Sequence, residues 1–147
     1  MRGSEEQSMS DSTRKTANAF YEALTSLNVD AAAALLSADS IEHTPPPIPD
    51  FQNGPEGFKK LFAVYTAAFP DLKLTVEKVA VEGDWFFGYG TWTGTHKGSM
   101  MGEEPTGKTV TGQFIEMSRV KDGKLVEHRS FGDDMQVMGS LGMAPPA

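Results

Sequence analysis

Residues 109–133 read TVTGQFIEMSRVKDGKLVEHRSFGD. Two runs rich in β-branched and aromatic residues, Thr109–Val120 and Lys124–Asp133, flank the pair Asp122-Gly123. Such runs are typical of strands, and Asp-Gly between them is a strong signal for a two-residue hairpin turn. The stretch therefore predicts a long antiparallel hairpin.

Counting outward from that turn predicts which side chains share a face, because side chains alternate along a strand with a period of two. The face that includes Asp133 also carries two phenylalanines and an ion pair. The opposite face is rich in apolar residues, so we expect it to form the interface of a homodimer. The predicted cross-strand pairs are Arg129 with Glu116, Phe131 with Phe114 and Asp133 with Gly112, and the opposite face carries Ile115, Met117, Val126 and His128.

Upstream of the hairpin, helical patterns come first and strands follow. This order predicts an α+β domain with its helices on one side of an antiparallel sheet. Glycines within a strand mark bends, so the sheet is expected to curve into a cone-shaped half barrel in which three helices enclose an apolar cavity. Residues 1–10 are predicted to be a disordered leader and residues 11–147 one domain. The first predicted helix begins at Ser12 or Thr13, the second spans Ala31–Leu36 and the third ends at Pro70. The predicted strands upstream of the hairpin are Ser40–His43, Leu72–Val81 and Trp85–His96.

Composition excludes several classes of function. The chain has no cysteine, which rules out thiolate metal sites and thiol nucleophiles. Its net charge of −7 speaks against a nucleic-acid partner, because phosphate binding needs clustered Lys and Arg. No stretch approaches the roughly 20 apolar residues of a membrane helix. We therefore expect a cytoplasmic protein that binds neither nucleic acid nor membrane.

Asp133 is the strongest candidate for chemistry. Apolar neighbours on the same face would disfavour its charged form and raise its pKa, which suits a general acid or base at neutral pH. A glycine opposite would leave room for a substrate atom. An alternative is that Asp133 caps a final helical turn from Asp134 to Leu141. Similarly, the Glu116–Arg129 pair is either structural or catalytic.

Metal and nucleophilic sites are not predicted. The chain has only three histidines, and their spacing matches no zinc motif. No serine lies in a Gly-x-Ser-x-Gly elbow. The histidines are His43, His96 and His128.

An ordered set of short motifs over about residues 12–142 resembles the SnoaL-like polyketide cyclase family, within the superfamily of nuclear transport factor 2 and ketosteroid isomerase. The resemblance implies a dimeric cone-shaped α+β barrel with a deep apolar cavity and no cofactor. It also implies ring closure by an intramolecular aldol reaction, with Asp133 as acid/base and His96 in the same pocket. Arg129 departs from the tryptophan that the family usually has at this position. The motifs are His43 before prolines, Phe69-Pro-Asp-Leu72, Glu82-Gly-Asp84, Gly94-Thr-His-Lys-Gly98, Pro105-Thr-Gly-Lys108, Asp122-Gly-Lys124, Glu127-His-Arg129 and the ending Asp133 to Leu141-Gly142.

Three functional hypotheses follow. The first is a cofactor-free acid/base enzyme acting on an apolar carbonyl compound, in which Asp133 transfers a proton and His96 polarises the carbonyl. The second is an epoxide hydrolase that uses Arg129, Glu116 and Asp133. The third is a binding module for small molecules without catalysis. The residues expected to bind substrate are His43, Arg129, Glu116, Trp92, Tyr89, Phe20, Phe114 and Phe131.

Overall fold

The chain forms one curved sheet of five strands with four helices, and the computed structural model describes residues 2–143. Within these residues, no helix has the length and apolar character needed to cross a membrane. The elements are α1 (Arg2–Thr25), α2 (Val29–Ala33), β1 (Leu36–Glu42), α3 (Pro55–Ala68), β2 (Lys73–Glu82), β3 (Trp85–Thr95), β4 (Thr109–Lys121), β5 (Lys124–Gly132) and α4 (Asp134–Ser140).

The strand order in the sheet is β1-β5-β4-β3-β2. Strands β2 to β5 form consecutive antiparallel pairs, whereas β1 pairs parallel with β5 at one edge. The predicted α+β class is therefore confirmed, but the sheet is not antiparallel throughout. The predicted final turn is a regular helix, α4, which adds a fourth helix to the three expected.

Helix α1 begins at Arg2, so the predicted start at Ser12 or Thr13 is wrong. Because residues 4–12 contain neither glycine nor proline, nothing in them interrupts a helix, and the segment assigned as a disordered leader continues it. Thr13 is where the helix becomes buried, and its hydroxyl donates a hydrogen bond to the carbonyl of Gly83 at 2.8 Å.

The hairpin between β4 and β5 has the predicted turn. Asp122 and Gly123 have φ of 52° and 73°, and Lys121 pairs with Lys124. A type I′ turn requires positive φ at both central residues, which explains the Asp-Gly pair. The turn prediction is confirmed.

Beyond the turn the predicted register is wrong. Val120 pairs with Leu125, but Arg119 pairs with Glu127, so Val126 is an extra residue in a β-bulge. Because a shift of one residue exchanges the two faces of a strand, every later side chain of β5 lies on the face opposite to the predicted one. The observed pairs are Ser118 with His128, Met117 with Arg129, Glu116 with Ser130, Ile115 with Phe131 and Phe114 with Gly132.

The inner face of the sheet packs against the helices through two groups of buried residues. The first lies beneath α1 and the second beneath the end of α3 and α4. The first consists of Ala17, Phe20, Tyr21, Ala23, Leu24, Ala32, Phe86, Val120 and Leu125. The second consists of Ala68, Phe69, Leu72, Met100, Val110, Val137, Leu141 and Met143.

Candidate active site

A cavity of about 550 Å³ extends along the inner face of the sheet, with walls from α1, β1, α3 and the loop of prolines. This volume lies in the range of small-molecule sites. Its lining is mainly apolar and aromatic. The residues that line it and were predicted to bind substrate are Phe20, Trp92, Phe114, Phe131 and Glu116, and their part in binding stays a prediction.

Three other predicted binding residues are not among the residues that line the cavity. The His43 Nε2 atom lies 2.9 Å from a carboxylate oxygen of Glu127. The Tyr89 hydroxyl donates to the side-chain oxygen of Gln113 at 2.7 Å. Arg129 pairs across the strands with a residue other than Glu116, so the predicted ion pair on the pocket face is wrong.

Asp133 lies at the end of β5, half-buried and outside the cavity lining. Its Oδ1 atom accepts a hydrogen bond from the backbone N–H of Gln113 at 2.8 Å, and its side chain makes no capping bond to α4. The space predicted above Gly112 is filled, because a Cβ atom there would lie 2.2 Å from the Trp92 Nε1 atom. The next residue, Asp134, lines the cavity instead.

His96 is fully buried and is also not among the lining residues. Its Nδ1 atom accepts a hydrogen bond from the backbone N–H of Thr106 at 3.2 Å, and the ring packs 5.7 Å from that of Phe69. A neutral imidazole that accepts at Nδ1 carries its proton on Nε2. That Nε2 atom has no hydrogen-bond partner within residues 2–143.

Asp134 lines the mainly apolar cavity, although the residue as a whole is exposed to solvent. Burial raises the pKa of Asp134, and the negative charge of Asp133 raises it further. Tyr65 lines the same cavity from α3, and its pKa is also raised, first by burial and then by the charge of Asp134. Asp134 therefore holds a proton more readily than an aspartate in water does.

A second group of ionisable side chains lies on the inner wall of the cavity. The His128 Nδ1 atom is hydrogen-bonded to Glu42, and its Nε2 atom lies 3.1 Å from the Oε2 atom of Glu116. All three residues line the cavity, and Glu116 is only 8% exposed. The contact between Glu42 and His128 could not be predicted, because the two residues meet only through the β1–β5 pairing and the bulge in β5.

The two carboxylates set the charge of the imidazole. Burial alone lowers the pKa of His128, but hydrogen bonds and charges from Glu116 and Glu42 outweigh burial and raise it to about 10. Burial opposes ionisation of Glu42 too, yet its bonds to His128 and Thr44 lower its pKa overall. At neutral pH His128 is thus an imidazolium that lies between Glu42 and Glu116.

These shifts predict a pH-dependent stability. His128 titrates near its ordinary value of 6.5 in the unfolded chain and near 10 in the folded protein. Its stabilising contribution is complete below pH 6.5 and is lost as pH rises to about 10. The lowered pKa of Glu42 acts oppositely, since its contribution is present above its ordinary value and is lost in acid.

We expect the free energy of unfolding, measured by urea denaturation, to decline between pH 6.5 and 10. The His128→Gln variant serves as the control, because other groups also titrate in this range. The wild type should lose more stability than the variant over this interval, and equal slopes would contradict the assigned charge state.

Metal ligands do not cluster in this structure: among residues 2–143, no group of three or more His, Cys, Asp and Glu side chains could hold a metal ion.

Comparison with curated proteins finds ester cyclases. The chain is 31% identical over 91 residues to nogalonic acid methyl ester cyclase of Streptomyces nogalater, covering 60% of this chain and 67% of that protein. It is 28% identical over 109 residues to aklanonic acid methyl ester cyclase DnrD of Streptomyces peucetius, covering 73% and 71%. The matched region thus spans about two thirds of each relative.

Solved structures share the fold. IdmH, a proposed polyketide cyclase of Streptomyces antibioticus, has a TM-score of 0.74 and 29% identity, over 89% of this chain and 99% of that one. AclR, a proposed hydroxylase of Streptomyces galilaeus, has a TM-score of 0.78 and 27% identity, over 92% and 99%. The family profile of SnoaL-like polyketide cyclases matches residues 15–141. The chain therefore belongs to the SnoaL-like polyketide cyclase family.

Proposed function

We propose that this protein closes a ring in an apolar carbonyl compound of polyketide type, by acid/base chemistry that needs no cofactor. The observation that carries the proposal is the Asp134 carboxyl, which lines a mainly apolar cavity and whose pKa is raised by burial. In an intramolecular aldol reaction, a carbanion attacks a carbonyl carbon and the carbonyl oxygen gains negative charge. A protonated Asp134 would give its proton to that oxygen.

The resemblance implies Asp133 and His96 for this chemistry, and their roles stay predictions. The geometry favours Asp134 over Asp133, because the Asp133 carboxylate is already bound to Gln113 and lies outside the cavity lining. His96 has a free Nε2–H, but it lies outside the lining as well.

The charge of the cavity favours an ester over a free acid as substrate. Glu42, Glu116 and Asp134 line it together with His128, and no Lys or Arg is among the described residues that do so. Glu127 also lines it, but its carboxylate is bound by His43 and Arg119. A substrate carboxylate would meet an excess of carboxyl groups, and the one cation, His128, is already bound to Glu42 and Glu116. The curated relatives bear the names of methyl ester cyclases, which agrees with this inference.

The test is to incubate the purified protein with aklanonic acid methyl ester and, separately, with the free acid. An intramolecular aldol reaction leaves the mass unchanged, so the product is separated by chromatography and identified by mass and ultraviolet spectrum. We expect ring closure of the ester at least about tenfold faster than that of the acid, which is the effect of roughly 1.4 kcal/mol. Binding of the ester without ring closure would instead support the binding-module hypothesis.

The epoxide-hydrolase hypothesis loses its support. It required Arg129 beside Glu116 on the pocket wall, and the register places Arg129 opposite Met117 on the outer face. The similarity to a proposed hydroxylase and to a proposed cyclase nevertheless indicates that this fold hosts more than one chemistry.

We also propose that the outer face of the hairpin forms a homodimer interface. Ile115 and Phe131 are cross-strand neighbours there and are 53% and 60% exposed in the single chain, and Phe131 also borders the cavity. Large exposed apolar side chains that adjoin one another favour an interface. Because of the bulge, His128 lies on the inner face, so it does not belong to the interface for which it was predicted.

Light scattering checks this prediction. We expect a dimer at micromolar concentration for the wild type and a monomer for Ile115→Lys. The control is Met135→Lys, which changes another exposed apolar residue, on α4, and should leave the dimer intact. A monomeric wild type would contradict the prediction.

A further inference from the structure

We propose that the loop of prolines (residues 44–53) binds the apolar part of the ligand, and that Glu42, Thr44 and Asn53 are positioning residues that hold this loop against the sheet. The inference goes beyond the proposed function, because it applies to an enzyme and to a binding module alike. It rests on the proposed function only for the choice of the ester as one of two probes.

The first argument is the composition of this part of the cavity wall. The loop residues that line the cavity are Thr44, Pro45, Pro46, Pro47 and Phe51. Proline has no backbone N–H, so three consecutive residues of the wall cannot donate a backbone hydrogen bond. A ligand oxygen that leaves water to lie against them would lose its hydrogen bonds and find no backbone donor there. This wall therefore favours the apolar surface of a ligand.

The second argument is that both ends of the loop are tied to one residue, Glu42, at the end of β1. At the first end, the Glu42 Oε1 atom accepts hydrogen bonds from the backbone N–H of Thr44 at 3.0 Å and from its hydroxyl at 2.6 Å. At the other end, the backbone N–H of Glu42 donates to the Asn53 Oδ1 atom at 3.0 Å. The loop is thus closed at its base, and compact surface loops of this kind are frequently functional.

The third argument is that these ties continue into the sheet at β5. The Thr44 Oγ1 atom accepts a hydrogen bond from the backbone N–H of Ser130 at 2.8 Å, and the Glu42 Oε2 atom is bound to His128. The Thr44 hydroxyl therefore donates to Glu42 and accepts from Ser130. Hydrogen bonds to an ionised carboxylate are stronger than those between neutral groups. One hydroxyl and one carboxylate thus fix the start of the loop on the sheet.

The fourth argument is that the loop has little freedom between its ends. Its prolines have fixed φ angles, and the backbone N–H of Ile48 donates to the carbonyl of Pro46 at 2.8 Å. The carbonyl of Gln52 packs against the start of α3, where a Cβ atom at Gly57 would lie 1.5 Å from its oxygen. A wall that is ordered before binding loses little entropy when a ligand binds. Releasing the loop should therefore weaken binding.

Two probes test the inference. The ester probe is aklanonic acid methyl ester, and the second probe is N-phenylnaphthylamine, an uncharged dye whose fluorescence rises in apolar surroundings. We expect Thr44→Val and Asn53→Ala to raise the Kd of both probes about 2–10-fold, the range that loss of a hydrogen bond produces. Thr44→Ser keeps the hydroxyl and should bind as the wild type does. The matched control is Thr111→Val, an exposed threonine on the outer face of β4, which should also leave binding unchanged.

The positioning role has two further readouts. Hydrogen exchange followed by mass spectrometry should be faster at Ile48 and Phe51 in Thr44→Val and Asn53→Ala, with exchange in β2, β3 and β4 unchanged. A general loss of stability would instead accelerate exchange throughout the sheet. In ring closure, both variants should raise KM and leave kcat within about twofold, because the loop binds the substrate and the transition state alike.

The outcomes separate this inference from the proposed function. An unchanged Kd for both probes in Thr44→Val and Asn53→Ala would overturn the inference, as would hydrogen exchange of the loop equal to that of the wild type. A wild type that binds neither probe would overturn it too. If the variants weaken binding but the wild type does not close the ring, the inference stands and the proposed function fails.

Discussion

The Asp134→Asn variant should lose about 10²–10⁴-fold in kcat for ring closure, while Asp133→Asn should stay within a few-fold of the wild type. The amide of asparagine has nearly the shape of the carboxyl group but cannot give up a proton in the same way. Only Asp134 of the two lines the cavity. Steady-state kinetics with the ester probe would measure both variants.

The adjacent aspartates make this a matched comparison, because both substitutions remove the same chemical group. Far-ultraviolet circular dichroism and probe binding would establish that each variant is folded. A large loss in Asp133→Asn with an active Asp134→Asn would reverse the assignment and support the residue that the family resemblance implies.

The His128→Leu variant should unfold with a free energy about 3–5 kcal/mol lower than the wild type at pH 7. Leucine fills similar space but leaves the carboxylates of Glu42 and Glu116 on the cavity wall without the cation between them. Removing one partner of a buried ion pair is costly because the remaining charge has lost its compensation. Urea denaturation at pH 7 would measure the loss.

A double variant isolates the cause. Glu42→Gln added to His128→Leu removes one of the two stranded carboxylates, so it should recover part of the lost stability instead of adding a second loss. The effect of His128→Leu should also shrink near pH 4, where carboxyl groups take up protons. A change below about 1 kcal/mol in His128→Leu would contradict the ion-pair description.

Local features of the fold could be predicted because they depend on few residues. The Asp122-Gly123 turn follows from the positive φ values that a tight hairpin needs. The α+β class could be predicted because helical patterns precede the strand patterns along the chain. The bulge at Val126 could not be predicted, because no residue of β5 marks it and the strand reads equally well in either register.

That single extra residue explains most of the errors in the site. It moves Arg129 away from Glu116 and brings His128 to the inner face. The prediction named Asp133 as the carboxyl at the cavity, but the aspartate that lines the cavity and has a raised pKa is Asp134, which is exposed, whereas Asp133 is half-buried outside the lining.

The pairing of His128 with Glu42 could not be predicted for a different reason. Glu42 is distant in sequence and meets His128 through a parallel pairing of β1 with β5. Parallel pairing of strands that far apart leaves no local signal, since the contact exists only in the assembled sheet. His43, which follows Glu42 and precedes the prolines, is paired with Glu127 instead.

The pKa of the Asp134 carboxyl can be followed by ¹³C NMR in the wild type, with the resonance assigned through Asp134→Asn. Partial burial and the charge of Asp133 should place it above the ordinary value of 3.8, and binding of the ester probe should raise it further by excluding water. A value at or below 3.8 that the probe leaves unchanged would contradict the account, because such a group sits in water and holds no proton to deliver.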